Sequence, residues 1–135
     1  MKGHSERLRQ ALEQRAARVG VIGLGYVGLP LAVAFGKAGF SVLGVDVDRE
    51  RVARLNAGDS PVEDVGSDDL ATLVAARRLS ITTDAGALKD ADAIIICVPT
   101  PLGKSREPDI SYIVAAADAV AAVLRPGQLV VLEST

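Results

Sequence analysis

Val19-Gly20-Val21-Ile22 is a short apolar run that leads directly into Gly23-x-Gly25-x-x-Gly28, and a second apolar segment follows as far as Gly36. This junction constrains the fold more than any other feature. A buried strand has to end at a turn that needs glycine, and a helix has to open at once. The alternation then repeats. Further strands are expected at 41–45, 79–82, 93–98 and 129–132. Helices are expected at 25–37, 48–56, 67–77 and 110–124, with a short turn or helix at 85–89 and a loop at 99–109. Asp48 and Ser67 are placed to cap two of these helices, and Gly39 and Gly58 to end two. A short amphipathic helix at 5–17, capped by Ser5, carries Leu8, Ala11, Leu12 and Ala16 on one side. Strands joined by crossover helices make an α/β fold, a doubly wound parallel sheet with helices on both faces. The expected strand order is 3-2-1-4-5, with a ligand at the carboxyl edge near the switch point between strands 1 and 4.

Composition removes several alternatives. The chain has 135 residues, 49% of them hydrophobic, enough for one domain with a core and too few for two full-sized domains. Aromatic residues make up 3% and the formal net charge is −2, so a nucleic-acid partner is not expected. One cysteine, Cys97, and one histidine, His4, exclude a disulfide framework, a cysteine-rich zinc site and a histidine-centred catalytic pair. No metal site is expected. A reducing, cytoplasmic setting fits this usage. Residues 19–36 are uncharged, but Gly20, Gly23, Gly25, Gly28, Pro30 and Gly36 suit strand, turn and helix better than one membrane-crossing helix. Residues 1–18 are charged throughout and lack the apolar stretch of a signal peptide.

The glycine spacing has a physical meaning. Gly23 permits the tight turn, Gly25 lets backbone approach a pyrophosphate, and Gly28 lets the helix pack against the strand. The free N–H groups at the helix start bind phosphate. The bland alternative is a glycine-rich turn that serves packing alone. Asp46 ends the second strand, 18 residues after Gly28, where a carboxylate accepts hydrogen bonds from an adenosine ribose. Its charge repels a 2′-phosphate, which favours NAD over NADP. Arg51 is the counter-evidence. It can sit over the adenine, pair with a phosphate, or simply be solvated. Together these features describe a Rossmann-type cofactor domain.

Four segments in order carry a family resemblance. They are residues 19–30, Gly44-Val45-Asp46, Ile96-Cys97-Val98-Pro99-Thr100-Pro101 and Glu133-Ser134-Thr135. The chain resembles the NAD-binding domain of the UDP-glucose/GDP-mannose dehydrogenase family. Arg106-Glu107-Pro108-Asp109 and the Glu before Ser134-Thr135 make it most similar to the branch acting on UDP-N-acetylglucosamine or UDP-N-acetylmannosamine. The resemblance implies oxidation of the C6 alcohol of a UDP-N-acetylhexosamine to a carboxylate, with two hydride transfers to two NAD molecules. It implies a cysteine that holds the carbon as thiohemiacetal and then thioester. It also implies cofactor contacts at Tyr26, Val27, Asp46, Arg51, Pro99, Thr100 and Thr135. Arg106 is a candidate on the substrate side. Glu133 either orients water or substrate or merely marks the branch. Cys97 lies inside an Ile/Val run and reads as a buried hydrophobe, not the family's nucleophile.

The expected organisation is an N-terminal helix at 1–18 and a truncated NAD-binding domain at 19–135. The resemblance places the dimerisation helix, the catalytic cysteine and the sugar-nucleotide domain beyond Thr135. The chain by itself is therefore expected to be inactive, and its full-length parent a homo-oligomer. Two other classes share the fold: a stand-alone NAD-sensing regulatory module, and the cofactor domain of a different NAD-dependent dehydrogenase. Only the Pro-Thr-Pro and Glu-Ser-Thr segments separate them.

Overall fold

The computed structural model describes residues 3–133. Within them, β1 (Arg18–Ile22), β2 (Ser41–Val45), β3 (Leu79–Thr82), β4 (Ala93–Ile96) and β5 (Leu129–Leu132) form one all-parallel sheet in the order β3-β2-β1-β4-β5. This is the expected order. The helices are α1 (His4–Glu13), α2 (Gly28–Lys37), α3 (Arg49–Asn56), α4 (Ser67–Ala75) and α5 (Ser111–Ala121), with a 3₁₀ segment at Ala85–Asp90.

Past Arg18 and Ser41 the central strands β1, β2 and β4 are continuously apolar because both of their faces are covered. Val21 lies between Gly44 and Ile95 in register, and Ile22 lies between Val45 and Ile96. Successive residues therefore feed different cores. Val19, Val21, Val42 and Ile81 pack with Leu29 and Ala32 of α2 and Leu70 and Leu73 of α4. Ile22, Val45, Ile94 and Ile96 pack with Leu88 of the 3₁₀ segment and Ala116 and Val120 of α5. Gly20 keeps the second core thin, since a Cβ there would stand 2.5 Å from Leu88 Cδ2.

Four helices end the same way. After α1, α2, α3 and α4 comes a residue with positive φ, namely Arg15 (56°), Gly39 (103°), Gly58 (79°) and Arg77 (57°). The next N–H bonds back to the carbonyl of Ala11, Phe35, Arg54 or Leu73 respectively, at 2.8–3.1 Å. Glycine makes two of these ends visible in sequence. Arginine hides the other two, so α1 stops at Glu13 and α4 at Ala75, short of the expected 17 and 77.

The other departures are local. Ser5 and Ser67 are not caps. Gly3 and Gly66 hold those positions, and the Ser67 hydroxyl instead accepts the Ser60 N–H at 3.0 Å. Asp48 does cap α3, accepting the Arg51 N–H at 3.1 Å. The helix expected from residue 25 opens at Gly28, although Leu29 N–H already reaches Gly25 O at 3.1 Å. Strand β4 ends at Ile96, short of the expected 98, although Cys97 N–H still reaches Ile22 O at 2.7 Å. Helix α5 is shorter at both ends than the expected 110–124. Every residue of β5 is exposed, from 36% at Val131 to 50% at Leu132.

The Gly20–Leu88 contact predicts a coupled pair. Gly20→Ala should cost about 1–3 kcal/mol through overpacking. Leu88→Ala should cost about 2–5 kcal/mol. The double variant should lose less than the sum, since the shorter side chain makes room for the new methyl. Strictly additive losses in urea unfolding would show that the two sites do not touch.

Candidate functional site

A cavity of about 600 Å³ opens at the carboxyl edge of the sheet. The β1–α2 turn forms one side, the end of β2 with the start of α3 a second, and α5 a third. Cys97, Val98 and Pro99, following β4, and Glu133, following β5, complete the lining.

The three glycines of the turn do different work. A Cβ at Gly23 (φ +92°) would stand 2.8 Å from the Cys97 carbonyl oxygen, and one at Gly28 only 1.6 Å from the Gly23 carbonyl oxygen. Both are required by the protein's own packing. A Cβ at Gly25 would meet nothing within 4 Å. The space beside Gly25 is open toward the cavity, as close approach of a ligand requires. The N–H groups of Tyr26, Val27 and Gly28 find no acceptor among the described residues, and α2 has no side-chain cap. These are orphan donors at the positive end of a helix, which suits an anion.

Asp46 is the buried polar residue of the described core, at 6% exposure. Its Oδ2 accepts the Leu24 N–H at 2.9 Å and the Arg51 guanidinium at 3.2 Å, and its Oδ1 accepts the Asp48 N–H at 2.9 Å. A buried carboxylate needs such partners. The three bonds tie the β1–α2 turn to the β2–α3 turn, so both sides of the cavity are set by one group.

Of the residues singled out in the sequence, Gly23, Gly25, Tyr26, Val27, Asp46, Arg51, Pro99 and Glu133 all line this cavity. Gly28 lies just behind the turn. Thr100 and Arg106 are not among the lining residues. Arg106 has φ +62° at the tip of a small hairpin, where Gly103 N–H bonds Glu107 O at 2.8 Å and Leu102 bridges Pro108. Thr135 lies outside the described residues. Sequence reasoning missed Val47, Thr83, Ala85 and the α5 residues Tyr112, Ala115 and Ala119. Tyr112 did leave a signal, being one of only two tyrosines.

Cys97 lines the cavity yet is only 9% exposed. Burial, and secondarily the charge of Glu133, push its thiol above the ordinary range. That suppresses thiolate at neutral pH, the reverse of what a nucleophile needs. At the loop's end, hydrogen bonds from the Ser111 hydroxyl and N–H hold the Asp109 carboxyl below its usual range. Among the described residues, no group of three or more His, Cys, Asp or Glu could hold a metal ion. No helix among them is long and apolar enough to cross a membrane.

Comparison with known proteins agrees with this geometry. The model of the UDP-glucose/GDP-mannose dehydrogenase family, NAD binding domain, matches residues 17–135. The chain belongs to this family. A UDP-N-acetyl-D-glucosamine 6-dehydrogenase of Pseudomonas aeruginosa is 41% identical over 118 residues, spanning 87% of this chain and 27% of that protein. A UDP-N-acetyl-D-mannosamine dehydrogenase of Escherichia coli K12 is 40% identical over 125 residues, spanning 88% and 28%. Among solved structures, a ternary complex of GDP-mannose dehydrogenase from Pseudomonas aeruginosa superposes with a TM-score of 0.82 at 35% identity, over 87% of this chain and 28% of that one. The chain thus spans little more than a quarter of these dehydrogenases, and what it spans is the NAD-binding domain.

The raised thiol predicts low reactivity. Cys97 should react slowly with a disulfide reagent at pH 7.5 in the native protein and quickly once unfolded in guanidinium. The fold favours the neutral thiol, so this stabilisation is present below the ordinary thiol range and is lost as pH climbs through the raised value. Equal labelling rates in native and unfolded protein would contradict the burial.

Proposed function

We propose that this chain is the NAD-holding part of a nucleotide-sugar 6-dehydrogenase that oxidises the C6 alcohol of a UDP-N-acetylhexosamine to a carboxylate in two NAD-dependent steps. The observation that carries the reading is the open space at Gly25, with unsatisfied amides on one side and the buried Asp46 carboxylate close by. A turn serving packing alone explains Gly23 and Gly28 but not Gly25. NAD, when bound, supplies the hydride acceptor.

This chain's residues bind and orient. The amides of Tyr26, Val27 and Gly28 hold the pyrophosphate, and Gly25 lets it come close. Asp46 accepts from the adenosine ribose, and its charge disfavours a 2′-phosphate. Arg51, 38% exposed on its side chain, is close enough to shield that charge or to cover the adenine. Pro99 and Thr100, which follow β4, and Thr135, later in the chain, serve the nicotinamide half. Glu133, which lines the cavity, orients water or substrate, and Arg106, in the hairpin outside the lining, serves the substrate side. The relatives' names support a UDP-N-acetylhexosamine as the substrate. The parent enzyme is a cytoplasmic homo-oligomer whose nucleophilic cysteine comes from outside this chain.

Calorimetry should find NAD bound more tightly than NADP. Gly25→Ala should leave the unfolding free energy within about 0.5 kcal/mol. It should weaken NAD about tenfold or more, since its methyl takes the phosphate's place. An unchanged affinity for NAD would remove the pyrophosphate from this turn. The 135-residue chain mixed with UDP-N-acetylglucosamine and NAD should produce no NADH at 340 nm. Its one cysteine is buried with a raised thiol. Steady NADH formation would place the nucleophile inside this chain after all.

A further inference from the structure

A parallel sheet is normally covered on both faces. Here α2, α3 and α4 all contribute to the core on one face. The other face has only α5 and the short 3₁₀ segment. Strand β3 records the difference. Leu79 and Ile81 are buried, while Ser80 between them is exposed. Register carries that bare face across the sheet. Ser80 lies beside Leu43, Leu43 beside Gly20, and Ser41 beside Arg18. Gly20 faces Leu88 of the 3₁₀ segment. Side chains alternate along a strand, so Arg18, Ser41, Leu43 and Ser80 all lie on the 3₁₀ side, toward the amino ends of the strands.

A second cavity, of about 270 Å³, is sunk into this face and shares no lining residue with the one at the carboxyl edge. Its charged residues come from three separate parts of the chain: Arg18 at the start of β1, Arg77 after α4, and Asp90 at the end of the 3₁₀ segment. Ser41 and Ser80 add two hydroxyls, and Leu43 adds apolar surface. Neighbouring charges just outside are satisfied. Asp92 accepts the Arg18 N–H at 2.8 Å and pairs with Arg125 at 3.3 Å, and the Arg78 guanidinium donates to Gly39 O at 3.3 Å. Inside the cavity the opposite holds. Among the described residues, the side chains of Arg18, Arg77, Asp90, Ser41 and Ser80 have no hydrogen bond or ion pair. Two guanidiniums that line one cavity and pair with nothing suit an anion with several oxygens, which the planar fork of arginine grips in pairs. The volume leaves room for a short carbon skeleton besides.

We infer that this cleft binds a small phosphate monoester that carries hydroxyl groups. Arg18 and Arg77 hold the phosphate, with the Ser41 hydroxyl beside Arg18 as a further donor. The Asp90 carboxylate accepts from the ligand's hydroxyls, and Leu43 meets its carbon skeleton. None of this depends on the NAD-binding reading above.

The experiment follows the backbone amide signals of the ¹⁵N-labelled 135-residue chain as ribose 5-phosphate is added at constant ionic strength. The amides of Arg18, Ser41, Ser80 and Asp90 should move and saturate. Ribose should leave them in place, and inorganic phosphate should bind there about threefold more weakly or worse than the ester. Arg77→Gly and Arg18→Gln should each weaken the ester about fivefold. Arg77→Gly is mild for the fold, since residue 77 has φ +57°, which glycine adopts without steric cost. Its urea midpoint should stay near the parent's. The inference is overturned if the ester moves no amide, or moves only those of Gly25, Tyr26 and Val27, the other place suited to phosphate. It is equally overturned if sodium chloride reproduces the shifts, or if both variants titrate like the parent.

Discussion

The contact between Gly28 and the Gly23 carbonyl is the constraint on which the rest depends. Any side chain at residue 28 would occupy the space of that oxygen, with its first carbon only 1.6 Å away. Without one, the first turn of α2 rests directly on the end of β1. Two consequences follow from that closeness. The amides of Tyr26, Val27 and Gly28, unpaired because they open a helix, are brought to the carboxyl edge of the sheet. Cys97 is pressed beneath the turn, with its carbonyl against Gly23 and its Cβ 3.2 Å from where a Gly28 side chain would begin. The close approach brings the positive end of α2 and its orphan donors to the sheet edge and helps cover Cys97.

Asp46 extends this economy. A carboxylate offers about four acceptor positions. The amides of Leu24 and Asp48 and the Arg51 guanidinium take three of them. The group is a brace between two turns that also lines the cavity. Its burial is tolerable because it is braced, and it faces the cavity because the brace spans the cavity's edge.

Much of this was legible beforehand, and the exceptions have physical causes. Strand order, the Asp48 cap and the helix ends at Gly39 and Gly58 were readable because each depends on a local residue with a known conformational habit. The ends of α1 and α4 were not, because Arg15 and Arg77 adopt the left-handed conformation that normally advertises glycine. Such a residue costs roughly 1–2 kcal/mol, and the hydrogen bonds it permits offset that locally. In the site, the glycine turn, Asp46 and Arg51 came from one-dimensional spacing, and Pro99 and Glu133 from the family resemblance. The α5 wall could not. Tyr112, Ala115 and Ala119 share a face only because the helix crosses over the sheet, and nothing in their spacing distinguishes a cavity wall from ordinary packing.

Strand β5 sets the chain's behaviour in company. Leu129, Val130, Val131 and Leu132 are apolar and exposed, and β5 pairs with β4 alone among the described residues. Such an edge is a template for another strand. Whatever polypeptide pairs with it removes apolar surface from water and stiffens β4, and through β4 the strand that ends at the glycine turn. A chain that pairs there would make the thermal midpoint depend on protein concentration. A net charge of −2 offers little repulsion to keep copies apart.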